Sequence, residues 1–126
     1  MRKLTKAAVV ASIVLLIGAT MPATPPPPNC PVSLYWASPR VKTAKVAPCL
    51  RFARDTMTFF HLQNIRVSGD EVAGTTADSY AAMTCIATNG NAIAMVMVAS
   101  SNGNEGQDLR NKLRDHVAGI ICFEGC

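Results

Sequence analysis

Charge and aromatic side chains are both scarce in this sequence: 16 % of its 126 residues are charged and 6 % aromatic, with two histidines and one tryptophan. Nucleic-acid binding calls for basic residues interleaved with stacking aromatics, and no stretch of the chain has that texture. His61 and His116 stand alone, and Cys122-x-x-x-Cys126 has no second half at matched spacing, so no metal centre is expected. C-x-x-C, G-x-S-x-G and phosphate-cradling glycine motifs are all missing. Asp70 and Glu71 are neighbours on a strand-like segment and would project to opposite faces; Asp115 and His116, adjacent on a helix-like one, would not face each other. No linked acid, base and nucleophile remains. The expectation is a protein that is not an enzyme and uses no cofactor or metal.

What is present begins with Met1–Lys6, which carries three cations, and Ala7–Met21, an uncharged and mostly apolar run of 15 residues. That order is the pattern of a secretory signal peptide, and the run falls short of the roughly 20 residues a membrane helix needs. Residues 1–23 are therefore expected to be a signal peptide, with no membrane segment after its cleavage and a periplasmic or secreted destination. Residues 24–31 follow as a proline-rich extended arm, stiffened by Pro25–Pro28, and 32–126 as one small domain. Arg2, Lys3 and Lys6 supply three of the 12 cations, so the remainder carries nine against eight acidic groups, a net of +1. A nearly neutral domain offers little pull on nucleic acid or an anionic membrane. With 49 % hydrophobic residues the chain has the means to build a core.

Val32–Ala37 alternates, with Val32, Leu34 and Trp36 on one side, as a short strand would. Ser38–Ala47 is a loop whose Arg40, Lys42 and Lys45 suit solvent. Pro48 fits the first turn of a helix, and Leu50, Ala53, Met57 and Phe60 carry its stripe to near Leu62. Ile65–Ala73 is read as a partly polar strand. Ser79–Ala87 and Asn91–Ala99 pair around Asn89-Gly90, a dipeptide suited to a type I′ turn. Asn104, with Gln107 three residues on, is the candidate N-cap of a second helix; Leu109, Leu113, His116, Val117 and Ile120 form its stripe and Gly119 its C-cap. The fold class is α+β: helix, three-stranded antiparallel meander, helix, with both helices on one face of the sheet. The two ends, Val32–Ala37 and Ile120–Phe123, are candidates for extra short strands.

The anomaly is the third strand of that meander. A two-residue turn at Asn89-Gly90 puts Cys85 across from Ala94, Thr84 across from Met95 and Met83 across from Val96. Met83, Cys85, Ala94, Val96 and Val98 then share one face, and Tyr80, Ile93, Met95 and Met97 lie on the other. Both faces are apolar, and Ala92–Ala99 has no polar residue on either side. A half-exposed antiparallel strand should alternate, and a long apolar edge invites aggregation. Something must cover a face, an edge or both. The choices are a terminal strand of the same chain, a second copy in a homodimer, or a partner protein or apolar ligand. Tyr80, Ile93, Met95 and Met97 are the candidate binding residues, the methionines supplying an adaptable surface.

Five cysteines, Cys30, Cys49, Cys85, Cys122 and Cys126, all fall in the exported part and suggest a disulfide framework. Five is odd, so one is left for a free thiol or an intermolecular link. Cys49 at the head of the first helix suits Cys85 on the strand face beneath it, and Cys30 suits Cys122 or Cys126. The functional expectation is an exported, non-catalytic protein-binding domain: an inhibitor, an immunity-type protein or an envelope accessory protein. The alternatives are a carrier of a small apolar ligand and, further off, a small hydrolase.

Overall fold

The computed structural model describes residues 31–123. The expected signal peptide, all but the last residue of the proline arm, Cys30 and Cys126 lie outside the described residues. The fold is α+β, with two helices and a five-stranded antiparallel sheet. In chain order the elements are β1 (Ser33–Ala37), α1 (Val46–Phe59), β2 (Gln63–Ser68), β3 (Glu71–Thr75), β4 (Ser79–Ile86), β5 (Ile93–Ser100) and α2 (Gly103–Gly119). Across the sheet the order is β1-β5-β4-β3-β2.

Five strands replace the expected three for two reasons. Ile65–Ala73 is not one strand: Gly69 takes φ +58°, and the chain reverses at Gly69-Asp70 so that Ser68 pairs with Glu71. Glycine at the first central position of a two-residue loop is itself a hairpin signal, masked here by the alternation of Arg66, Ser68 and Asp70. Second, Val32–Ala37 does fold back as a strand. β1 pairs antiparallel with β5 from Ser33↔Ser100 to Ala37↔Val96. The loop after it continues the cover: Val41 N–H donates to the Ala92 carbonyl, Ala92 N–H to Thr43 and Ala94 N–H to Pro39. The edge of β5 is thus sealed by the chain's own N-terminal part. Ile120–Phe123 forms no strand.

The β4–β5 register is the expected one, Cys85↔Ala94, Thr84↔Met95 and Met83↔Val96. The turn that joins the two strands is not. Neither Asn89 nor Gly90 has a positive φ, and residues 87–92 form a longer loop held by the Thr88 hydroxyl, which donates to the Asn91 carbonyl and accepts from Gly90 N–H. Burial of one face, rather than a type I′ turn, keeps the strands in step. At the far edge, one extra residue bulges between Gln63 and Arg66, with Asn64 at φ 53°. A bulge of this kind blunts an edge strand.

α1 begins with Lys45 as an uncapped N-cap, and Pro48 sits in its first turn, where no carbonyl awaits an N–H. It ends three residues short of the expected Leu62. His61 adopts φ 57°, its N–H donates to the Thr58 carbonyl, and Leu62 N–H donates to the Met57 carbonyl. That is a Schellman closure with histidine in the position glycine usually takes. The cap of α2 lies two residues before the expected one. Asn102, not Asn104, is the N-cap and accepts from Glu105 N–H. Gly119 is the last helical residue and has no positive φ; the chain leaves extended through Ile120.

Both helices pack on the same side of the sheet. Cys49 of α1 is disulfide-bonded to Cys85 of β4, as the cysteine placement suggests. Closing a loop of 36 residues is worth about 4 kcal/mol in the chain-entropy account. Cys122 is disulfide-bonded as well. Gly106 of α2 rests on Ser100 of β5 and Tyr35 of β1. Between helices and sheet lie Met57, Met83, Val96, Val98, Leu113 and Val117, all fully buried. Each contributes on the order of 1.5–3 kcal/mol of hydrophobic stabilisation. The helices meet at Thr56, whose buried hydroxyl lies 2.9 Å from His116 Nδ1, with the imidazole stacked on Phe59.

Candidate functional site

The side of the sheet away from the helices is where the apolar residues of β4 and β5 have no cover among the described residues. Pairing arranges this outer face in rows. One row runs Leu34, Ala99, Tyr80, Thr75 from β1 to β3. The next runs Trp36, Met97, Ala82, Ala73 and then Arg66 of β2. Met95, Thr84, Glu71 and Ser68 form the third, and Ile93 with Ile86 the last. Trp36 is 70 % exposed, and Leu34, Tyr80, Ile86, Met95 and Met97 are 37–53 % exposed. All four residues singled out from the sequence, Tyr80, Ile93, Met95 and Met97, fall on this face.

Leu34 and Trp36 complete the patch, and the sequence reading did not include them. Their alternation is visible, but the strand they join is not, because the paired residues of β1 and β5, from Ala37 with Val96 to Ser33 with Ser100, are far apart in the chain. Together Leu34, Trp36, Ala37, Ser38, Met95 and Met97 line a shallow groove of about 420 Å³. The β3 side of the face is lower and more polar. Arg66 donates to the Tyr80 hydroxyl at 2.9 Å with its guanidinium over the ring, and the small Ala73 beneath is buried. The face therefore has a tall column of Trp36 and Met97 beside a low one of Ala82 and Ala73.

Elsewhere the polar groups serve the frame. Arg110 Nη1 donates to the Trp36 carbonyl at 2.9 Å and ties α2 to β1. Asp115 turns to Arg114 at 2.7 Å rather than to His116, and that guanidinium holds its carboxyl below the usual range. Glu105 lies beside Asp78, whose hydrogen bond and like charge raise the Glu105 carboxyl above its ordinary value. The Arg40, Lys42, Lys45 loop is only partly solvated: Val41 and Thr43 between them are buried, and Arg40 donates to the Asn91 carbonyl. Among the described residues no three His, Cys, Asp or Glu side chains converge on a point that could hold a metal ion. No described helix is long and apolar enough to cross a membrane. No protein-family model, curated protein or solved structure matches the chain.

Proposed function

We propose that this chain is an exported, non-catalytic protein-binding domain, an inhibitor, immunity-type or envelope accessory protein, whose contact surface is the outer face of its sheet. One observation carries the reading. The chain spends its N-terminal strand and the following loop on sealing the β5 edge, yet leaves the Trp36–Met97 column bare among the described residues. Contiguous apolar patches of several hundred Å² on a soluble domain mark interaction sites, and tryptophan with methionine suits such a surface. The leader pattern of residues 1–23 and the Cys49–Cys85 bond both favour an oxidising compartment outside the cytoplasm.

The test is capture from an envelope extract with the purified protein as bait, alongside Met97→Asp. Met97 is surface-exposed, so the variant should fold and lose the captured protein. Equal capture by both would remove the outer face from consideration. The groove beside Trp36 favours a second reading, a carrier of a small apolar ligand. Its volume of about 420 Å³ is in the range of small-molecule sites. Lipid or another apolar compound released in stoichiometric amount from the purified protein would favour the carrier.

A further inference from the structure

We infer that the outer face is covered by a second copy of this chain, packed sheet to sheet about a two-fold axis that runs along the strands between β4 and β5. The inference rests on the reading of this face as a protein-contact surface and names its occupant. Such an axis lays β5 of one copy over β4 of the other and β1 over β3, and keeps every residue in its own row. The two rows at Trp36 and Tyr80 then match large on small, while at the end of the sheet Ile93 comes over the partner's Ile86. Met97 comes over the partner's Ala82, and Trp36 over the partner's β3 at the buried Ala73, where the exposed group it meets is the Arg66 guanidinium on Tyr80. In the neighbouring row Tyr80 comes over the partner's Ala99. Each match is made twice, as a two-fold interface requires. An axis running across the strands would instead set the tall Trp36–Met97 column against itself. Sheets packed about 10 Å apart hold a single interdigitated layer, so that arrangement would not close.

Charge and area agree with this occupant. Arg40, the bridge partner of Ile93, comes over the end of the partner's β3 that carries Glu71. The six exposed apolar side chains of the face leave roughly 600 Å² per copy, taking side chains of about 150–250 Å² each. With the half-buried Ile93, Ala99 and Thr84 added, this approaches the roughly 800 Å² per partner of a standard stable interface.

Sedimentation equilibrium of the purified exported protein, from micromolar to millimolar concentration, tests the inference with Trp36→Glu, Met97→Asp and Val67→Glu. Val67 is an exposed apolar residue on the helix side of β2 and serves as the control. A reversible dimer is expected, weakened at least about 30-fold by either outer-face substitution, as for a central aromatic anchor, and unaltered by Val67→Glu. Circular dichroism of each variant guards against unfolding, and two independent outer-face variants keep the test decisive if one fails to fold. A monomer throughout would overturn the inference. So would a dimer indifferent to Trp36→Glu and Met97→Asp, such as one joined only by a disulfide on a non-reducing gel. If the protein is monomeric but captures a different envelope protein that Met97→Asp loses, the second copy is wrong and the contact surface stands. If it is monomeric and capture is also unchanged by Met97→Asp, both readings fall.

Discussion

Trp36 of β1 stands directly across from Met97 of β5, so the chain's single tryptophan shares a row with the methionine at the middle of the exposed column. The tryptophan emission of the protein, excited selectively over its two tyrosines, therefore reports this face. In dilute solution the emission should be that of a solvent-exposed indole, accessible to acrylamide. As the face becomes covered, emission should shift to the blue and quenching should fall, and Met97→Asp should abolish both changes. Trp36→Ala should cost folding stability no more than about 1 kcal/mol, because little of the ring is buried. A larger loss in urea unfolding would mean that the ring serves the fold rather than the face.

His61 closes α1 at φ 57° with its N–H on the Thr58 carbonyl. A side chain in the left-handed region costs about 1–2 kcal/mol, part of which glycine returns through its freer unfolded chain. His61→Gly should raise stability by about 0.5–1 kcal/mol, read as a higher urea midpoint with an unaltered slope. The bond from Gln63 Nε2 goes to the His61 backbone carbonyl and would survive the change. A lowered midpoint would show that the imidazole contributes a contact of its own.

Gly106 has the opposite character. A Cβ built there would lie 2.6 Å from Ser100 Cβ and 3.0 Å from a Tyr35 ring carbon. Alanine favours a helix over glycine by about 1 kcal/mol, but forced overpacking costs about 1–3 kcal/mol. The seat on Ser100 should win. Gly106→Ala is expected to destabilise by about 1–2 kcal/mol net in chemical denaturation, and a gain in stability would mean that α2 is free to lift from the sheet.

Glu105 makes the stability depend on pH in a definite direction. Its carboxyl is raised above 4.5, first by a hydrogen bond with Asp78 and then by burial and the like charge of that residue. The folded chain thus holds this proton more tightly than the unfolded one. The stabilisation is complete below 4.5 and is lost as pH rises through the folded-state value. Glu105→Gln keeps a donor toward Asp78 and removes the titration. Its thermal midpoint should match that of the native protein in acid and exceed it increasingly toward neutral pH. Parallel curves for the two proteins would refute the Asp78 coupling.

Much of this could be read along the chain. The stripe of Leu50, Ala53 and Met57 announced α1, and Leu113 with Val117 announced the buried side of α2. Cys49 and Cys85 were paired from their places at a helix head and on a strand face. The Met83–Val96 register followed from alternation, although the loop assumed to enforce it has another conformation. Where the reading failed, a local signal had a competitor. The polar alternation around Gly69 masks its turn, and the Ser101-Asn102-Gly103 turn signal hides Asn102 as a cap, although Glu105 follows it at the same three-residue spacing that separates Gln107 from Asn104.

Near neighbours in the chain carry information about turns, caps and amphipathic stripes, and so the helices, the hairpin and the two-sided apolar strand were all written there. A strand that is apolar on both sides is degenerate: nothing along Ala92–Ala99 says which side meets the helices and which stays wet. That choice was made by contacts between distant residues, Cys49 with Cys85 and Gly106 with Ser100, which bring both helices to one side. The pairing of β1 with β5 then raised Trp36 on the side left over. Burial is a property of the assembled layers, and it is there, not in any segment alone, that the exposed face was settled.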